Sequence, residues 1–219
     1  MRPGEPLILW DWVFSHVPDI RERLVEHIIL TLIAVGVGLV LSFALSLLVL
    51  RVPRAYAPVT WVTGVLYTIP SLALFSLLIP FTGLSRLTAE IGLVSYTMLI
   101  LIRNIVGGIR SVPLEVRDAA IGMGYSPRQL LWKVQLPLAT PVIIAGIRVA
   151  TVTTIGLVTV TALIGQGGLG FLILQGIQQF FATPLVIGAL GSVALAVVAD
   201  GLLVALEWAV TPWARAGRS

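Results

Sequence analysis

The chain has 219 residues, of which 58% are apolar and 11% are charged, and it carries 21 glycines besides. An ordinary soluble domain has about 25% charged residues, and a single core of this size could not bury so much apolar surface. The composition therefore excludes a soluble globular domain and a disordered chain. The uncharged run from Val149 to Ala199 has room for two membrane crossings of about 20 residues each, so we predict an all-α integral membrane protein.

Charge and rare residue types narrow the possible functions. The chain has no cysteine, which excludes disulfides, thiolate metal sites and cysteine nucleophiles. Its two histidines, His16 and His27, both precede the first apolar span, so we expect no metal site. The net charge of +4 is typical of membrane topology, and we expect no nucleic-acid partner.

Residues 1–27 form a polar segment with scattered aromatic side chains. Trp10, Trp12 and Phe14 recur at short intervals, which is typical of a segment that lies at a membrane surface. Asp11 cuts the first apolar run short, so a signal peptide is not indicated. We predict an extracytoplasmic, interfacial segment, and a poorly ordered tail is the alternative.

Five apolar segments follow within a single domain that covers residues 1–219. Each segment is long enough, at about 1.5 Å per residue, to cross a hydrocarbon core of about 30 Å. Pro70 lies inside the second segment and should kink or unwind it. The predicted transmembrane helices cover residues 28–50, 56–79, 89–109, 138–164 and 184–210.

The basic residues predict the orientation of the chain. Five crossings place the two termini on opposite sides, and basic residues favour the cytoplasmic side. With the N-terminus outside and the C-terminus in the cytoplasm, eight basic residues lie inside and four lie outside. The inner residues are Arg51, Arg54, Arg110, Arg117, Arg128, Lys133, Arg215 and Arg218, and the outer ones are Arg2, Arg21, Arg23 and Arg86.

A glycine-rich segment, Gly165–Gly170, follows the fourth predicted helix. Residues 171–181 after it are apolar but too few to span a membrane. Irregular backbone at membrane depth persists only where it is buried in protein or lines a cavity. We therefore predict an outer re-entrant or gate-closing segment over residues 165–183, with a flexible glycine-rich outer loop as the alternative.

The predicted cytoplasmic loop, residues 111–137, contains two short helices. Ser126 and Gln129 have the spacing of a capping box that begins the second helix. Gly124 before them can adopt a positive φ and turn the chain sharply, and Pro137 should end the second helix. The pattern indicates a rigid, protruding pair of helices that binds a partner protein. The alternative is a helix pair that lies on the lipid surface.

The same loop carries a long motif. It reads Asp118-Ala119-Ala120, three residues, Gly124, nine residues, Val134, one residue, Leu136-Pro137. This motif resembles that of the permeases of type I ABC importers, which is Glu-Ala-Ala, three residues, Gly, nine residues, Ile, one residue, Leu-Pro. Every spacing matches, with Asp118 in place of Glu and Val134 in place of Ile.

The resemblance implies the type I ABC importer permease fold, with a coupling helix that docks on a separate ATP-hydrolysing subunit. It further implies two ATPase subunits, a second identical or related permease chain, and a separate extracytoplasmic solute-binding protein. The location that it implies is a bacterial or archaeal cytoplasmic membrane. The residues assigned to ATPase coupling are Asp118, Ala119, Ala120, Gly124, Tyr125, Ser126, Pro127, Leu136 and Pro137.

Three further stretches, residues 68–74, 145–151 and 164–170, resemble the osmoprotectant branch of these importers. The resemblance covers roughly residues 51–177 and implies a quaternary-ammonium solute such as glycine betaine, carnitine or choline. Permeases for methionine and other small solutes share much of this plan and are the alternative.

Several catalytic motifs are missing from the sequence. It has no Gly-x-x-x-x-Gly-Lys-Ser/Thr loop to cradle phosphates, so we expect no cofactor on this chain, and ATP and Mg²⁺ belong to the partner subunit. It has no His-Glu-x-x-His or Gly-x-Ser-x-Gly motif, so we predict that it is not an enzyme. An ion-coupled secondary carrier and an assembly protein without a substrate are the rival functions.

Arg103, Arg148 and Asp200 lie inside predicted helices, where a charge is costly unless it finds a partner or water. Arg103 can extend to the inner surface, but Arg148 lies about 16 Å beyond Pro137 along its helix. We predict that Arg148 pairs with Asp200, and a place in the translocation path is the alternative. The candidate path and gate residues are Thr68, Pro70, Ser71, Asn104, Arg148, Thr151, Gln166, Gly167 and Gly168.

Overall fold

The computed structural model of the protein describes residues 7–214. Residues 1–6 and 215–219, with Arg2, Arg215 and Arg218 of the charge count, lie outside the described residues. The described chain is helical and contains no strand. Its α-helices are α1 (Trp10–Ser15), α2 (Val17–Arg51), α3 (Tyr56–Thr68), α4 (Ser71–Thr82), α5 (Arg86–Arg110), α6 (Leu114–Gly122), α7 (Pro127–Leu130), α8 (Leu136–Val160), α9 (Gly170–Gln178) and α10 (Ala182–Val210).

Four helical stretches are long and apolar enough to cross a membrane. A fifth span results if α3 and α4 are counted together, although they meet at an angle of 99°. These five correspond to the five predicted spans, and the all-α membrane fold is confirmed. The four unbroken stretches are Val17–Arg51, Arg86–Arg110, Pro127–Ile164 and Ala182–Val210.

Three predicted boundaries differ from the structure. The first helix begins at Val17 rather than residue 28, because charged residues at its start are compatible with a helix although not with a membrane core. The second predicted helix, residues 56–79, is broken at Ile69 and Pro70. Pro137 does not end a helix. A π-helical turn, Leu131–Gln135, joins α7 to α8, and such a widened turn accommodates the proline, which has no N–H to donate.

Helix α5 lies at the centre of the bundle and packs against α2, α3, α4 and α8. Its contact with α8 is close because a Cβ on Gly146 would lie 2.4 Å from the Cβ of Asn104. Its contact with α2 is equally close, since a Cβ on Gly38 would overlap the Thr97 hydroxyl. Small residues at helix crossings let membrane helices approach and gain packing energy, so these crossings fix the position of α5.

Helices α9 and α10 follow α8 in the chain and form an antiparallel hairpin, and α10 packs along α8. The Cα of Gly176 faces Leu185, and Gly188 packs against Leu169 and Ile173. The loop before α9 turns back along α8, so that Gly170 lies against the Thr159 carbonyl. Thr159 lies near the end of α8, before the 3-10 turn Thr161–Ile164, so the chain folds back over the end of α8 before α9 begins.

Candidate functional site

The segment predicted to couple to an ATPase, called the coupling segment below, consists of α6 and α7 joined by a tight turn. Gly124 has φ of +84°, a conformation that favours glycine, and its N–H donates to the Ile121 carbonyl at 2.9 Å. The Ser126 hydroxyl accepts from the Gln129 N–H at 3.3 Å, and the Gln129 side chain accepts from the Ser126 N–H at 2.8 Å. The predicted glycine turn and capping box are both confirmed.

Helix α6 presents two different faces. Leu114, Ile121 and the adjacent Met123 are 65%, 56% and 70% exposed, and Asp118 lies with them on the outer side. We call these four residues the docking face. Ala120 on the opposite side is buried at 2% exposure. A cluster of exposed apolar side chains on a loop is typical of a protein interaction site.

The other motif residues hold the two helices in place. The Tyr125 N–H donates to the Ala120 carbonyl at 3.1 Å and closes the end of α6. Pro127 occupies the first turn of α7, while Leu136 and Pro137 are half-buried at the start of α8. The motif therefore forms one continuous unit, with Ala119 and the docking face on its surface.

The break between α3 and α4 brings together three candidate path residues. The Tyr96 hydroxyl of α5 donates to the Ile69 carbonyl, which the break leaves without a helical partner. Thr68 is exposed and donates to the Val65 carbonyl at 2.8 Å, as membrane threonines often do. Pro70 is exposed and Ser71, the first residue of α4, is half-buried.

Arg148 forms a bidentate ion pair with Asp200. Its Nε lies 2.7 Å from one carboxylate oxygen and its Nη2 lies 3.0 Å from the other. The predicted pairing of Arg148 with Asp200 is thus present in the structure. Sequence reasoning missed Glu207, whose carboxylate lies 3.6 Å from Arg148. The spacing in the sequence could have revealed this contact, because Glu207 lies two helical turns after Asp200 and therefore on the same face of α10.

Three polar candidates in the bundle have simpler surroundings. The Thr151 hydroxyl donates to the Ile147 carbonyl at 2.8 Å, and the Asn104 amide donates to the Ile100 carbonyl at 2.8 Å. Arg103 is exposed on the surface of α5. These hydrogen bonds hold the Thr151 and Asn104 side chains against their own helices, so the path role stays a prediction.

The glycine-rich loop packs against α2. Gly167 donates its N–H to the Glu26 carboxylate at 3.4 Å. Gly168 has φ of +49°, and a Cβ there would lie 2.6 Å from the Cβ of His27. The Gln166 N–H donates to the Thr161 carbonyl at 3.0 Å. Gly167 and Gly168 are buried, so the loop packs against the bundle, and its gate-closing role stays a prediction.

Sequence reasoning also missed the partner of this loop on α2. The His27 side chain is fully buried, and its Nε2 lies 3.0 Å from the Ile155 carbonyl of α8. His27 thereby joins α2, α8 and the glycine-rich loop. Among residues 7–214, no group of three metal-ligating side chains comes together.

Comparison with known proteins identifies the family. The model of the binding-protein-dependent transport system inner membrane component matches residues 34–211. The chain belongs to this family. It is 35% identical over 194 residues to the choline transport system permease protein OpuBB of Bacillus subtilis, with 89% of each chain covered. It is 38% identical over 192 residues to the osmoprotectant import permease protein OsmW of Salmonella typhimurium, covering 85% of this chain and 89% of the relative.

The fold agrees with this assignment. A chain of the inward-facing MetNI methionine ABC transporter superposes with a TM-score of 0.77 at 22% identity, covering 85% of this chain and 93% of that one. The protein is thus a multi-pass inner-membrane permease subunit of an ABC importer. The family match and the structural superposition confirm the predicted family and fold. Members of this family work with an ATPase and a solute-binding protein.

Proposed function

We propose that this chain forms part of the translocation path of an importer for a quaternary-ammonium osmoprotectant, with choline, glycine betaine and carnitine as the candidates. The observation that carries the proposal is the identity of 35–38% to choline and osmoprotectant permeases over most of the chain. The likeness to the methionine importer at 22% identity supports the fold alone. Methionine therefore has no comparable support.

The complex contains two permease chains and two ATPase subunits, and the docking face of each permease meets one ATPase. The N-terminus lies outside and the C-terminus inside, because the positive-inside rule then places the docking face in the cytoplasm. ATP and Mg²⁺ bind to the ATPase subunits, and this chain hydrolyses no ATP. The apolar exposure of Leu114, Ile121 and Met123 supports the contact.

Transmission from the ATPase follows the helix that begins at Pro127. The helical stretch Pro127–Ile164 has 38 residues and is about 57 Å long. One end lies beside the docking face and the other leads into the glycine-rich loop. Movement of α7 is therefore passed directly to that loop, which acts as the outer gate. Transport further requires that solute and ATP bind the two states of the gate with different affinities.

ATPase measurements on the reconstituted complex test this proposal. The permease is co-purified with its ATPase subunit and mixed with binding proteins loaded with choline, glycine betaine, carnitine or methionine. We expect a quaternary-ammonium solute to stimulate ATP hydrolysis and methionine to have no effect. Stimulation by methionine alone would contradict the solute assignment. If uptake persists without ATP but collapses with the ion gradient, the chain is an ion-coupled carrier. If no loaded binding protein stimulates ATP hydrolysis, the chain is an assembly protein without a substrate.

A further inference from the structure

A cavity of about 720 Å³ lies between the C-terminal end of α2 and the coupling segment. We propose that it binds the phosphate headgroup of an anionic phospholipid. This ligand is independent of the transported solute, so the proposal goes beyond the transport function. The lining of the cavity includes Arg51, Arg117, Arg128 and Trp132.

Three arginines from three elements converge on this cavity. Arg51 ends α2, Arg117 lies in α6 and Arg128 lies in α7. No carboxylate residue lines the cavity within the described part of the chain. The Arg117 side chain is half-buried and lines the cavity. The planar guanidinium fits a phosphate by paired hydrogen bonds.

Apart from Gln135, the rest of the lining is apolar, and it reaches the outer surface of the bundle. Leu47 and Leu50 supply one wall, and Leu131 and Trp132 supply another. Trp132 is half exposed, and its ring packs against Phe43 with centroids 6.1 Å apart. Tryptophan prefers the membrane interface. The cavity therefore combines a basic headgroup site with an apolar wall for the acyl chain, which favours a lipid over a free phosphate ion.

The arginine cavity contains none of the docking-face residues, although Pro127, one of the residues assigned to ATPase coupling, lines it. Arg117 faces the cavity, whereas Asp118, the next residue in the chain, lies on the exposed side of α6. A lipid held by Arg51, Arg117 and Arg128 would connect the end of α2 to the coupling segment without covering Ile121. Anionic lipid in the inner leaflet would thus brace the segment on which the ATPase docks.

Binding of phosphatidylglycerol to the purified full-length chain in neutral detergent tests the proposal. The measurement is the number and affinity of retained lipids by native mass spectrometry, with phosphatidylcholine and inorganic phosphate as parallel probes. We expect phosphatidylglycerol alone to be retained. Each single replacement, Arg51→Gln, Arg117→Gln or Arg128→Gln, should weaken it about fivefold, which corresponds to about 1 kcal/mol for each basic group at an anionic surface.

Arg54→Gln is the matched control, because it removes the same charge three residues from Arg51 and does not line the cavity. It should leave the affinity unchanged. Arg117→Lys keeps the charge but loses the paired hydrogen bonds of the guanidinium, so its affinity should fall between those of the unmodified chain and Arg117→Gln. The helix content of every variant is checked by circular dichroism.

Several results would overturn the proposal. Equal retention of phosphatidylcholine would remove the charge argument, and competition by millimolar inorganic phosphate would indicate a free-anion site instead. Equal losses in Arg54→Gln and Arg51→Gln would show a diffuse surface effect. Variants that bind lipid normally but no longer co-purify with the ATPase subunit would show that carboxylates of the partner protein fill the cavity.

Discussion

Substitution of Gly146 by alanine should destabilise the contact between α5 and α8. The added Cβ would lie 2.4 Å from the Cβ of Asn104, whereas ordinary contacts begin at 3.4 Å. The two helices must therefore separate locally by about 1 Å, since a Cβ fixed to a helix cannot rotate away. Overpacking of this kind costs about 1–3 kcal/mol.

The same substitution at Gly156 provides the control within α8. A Cβ there meets nothing within 4 Å, so only the helix preference of alanine remains, about 1 kcal/mol in favour of the variant. This preference is common to both variants and cancels between them. Gly146→Ala should therefore be less stable than Gly156→Ala by about 1–3 kcal/mol.

The assay is the free energy of unfolding in mixed micelles, obtained by titration with SDS and followed by far-ultraviolet circular dichroism. Both variants are measured beside the unmodified chain, and the comparison depends only on the difference between them. Equal stability of Gly146→Ala and Gly156→Ala would refute the close crossing of α5 and α8.

Three further experiments test other contacts within the chain. The reversed pair, Arg148→Asp with Asp200→Arg, should partly recover solute uptake that either single reversal abolishes. Only the double variant restores an ion pair between the two positions, but it also places a carboxylate near Glu207; equal defects in all three variants would contradict the pairing. Gly168→Ala should lower the Tm of the chain more than Gly165→Ala, since both positions have positive φ but only the first lies against α2, and equal losses would refute that contact. Ser126→Ala should weaken the start of α7 by about 1 kcal/mol, measured as faster amide hydrogen exchange in its first turn, and unchanged exchange would count against the cap.

Features that depend on neighbouring residues could be predicted from the sequence. The apolar spans follow from composition and length alone, because a membrane core requires about 20 apolar residues. The capping box of Ser126 and Gln129 and the turn at Gly124 were predictable for the same reason, since each is closed by contacts within a few residues. The motif from Asp118 to Pro137 resembles that of ABC importer permeases, and it could be recognised because all of its residues lie within one short segment of the chain.

Features that depend on distant residues were missed or only half predicted. Pro70 indicated a disturbed helix, but the 99° angle between α3 and α4 also depends on the hydrogen bond from Tyr96 on another helix. The burial of Gly168 depends on His27 of α2, more than a hundred residues earlier in the chain. Pro137 was expected to end a helix, and the π-helical turn before it has no signature that its own residues reveal.

The coupling turn at Gly124 offers the most direct test of the central claim that this permease is driven by an ATPase on its docking face. Valine at φ of +84° is a conformational outlier, whereas valine at Gly122 enters open space in an ordinary helix. ATP-driven uptake of choline, glycine betaine or carnitine into proteoliposomes is measured for both variants. We predict that Gly124→Val loses uptake and ATPase co-purification while Gly122→Val keeps both; normal uptake by Gly124→Val would contradict the account.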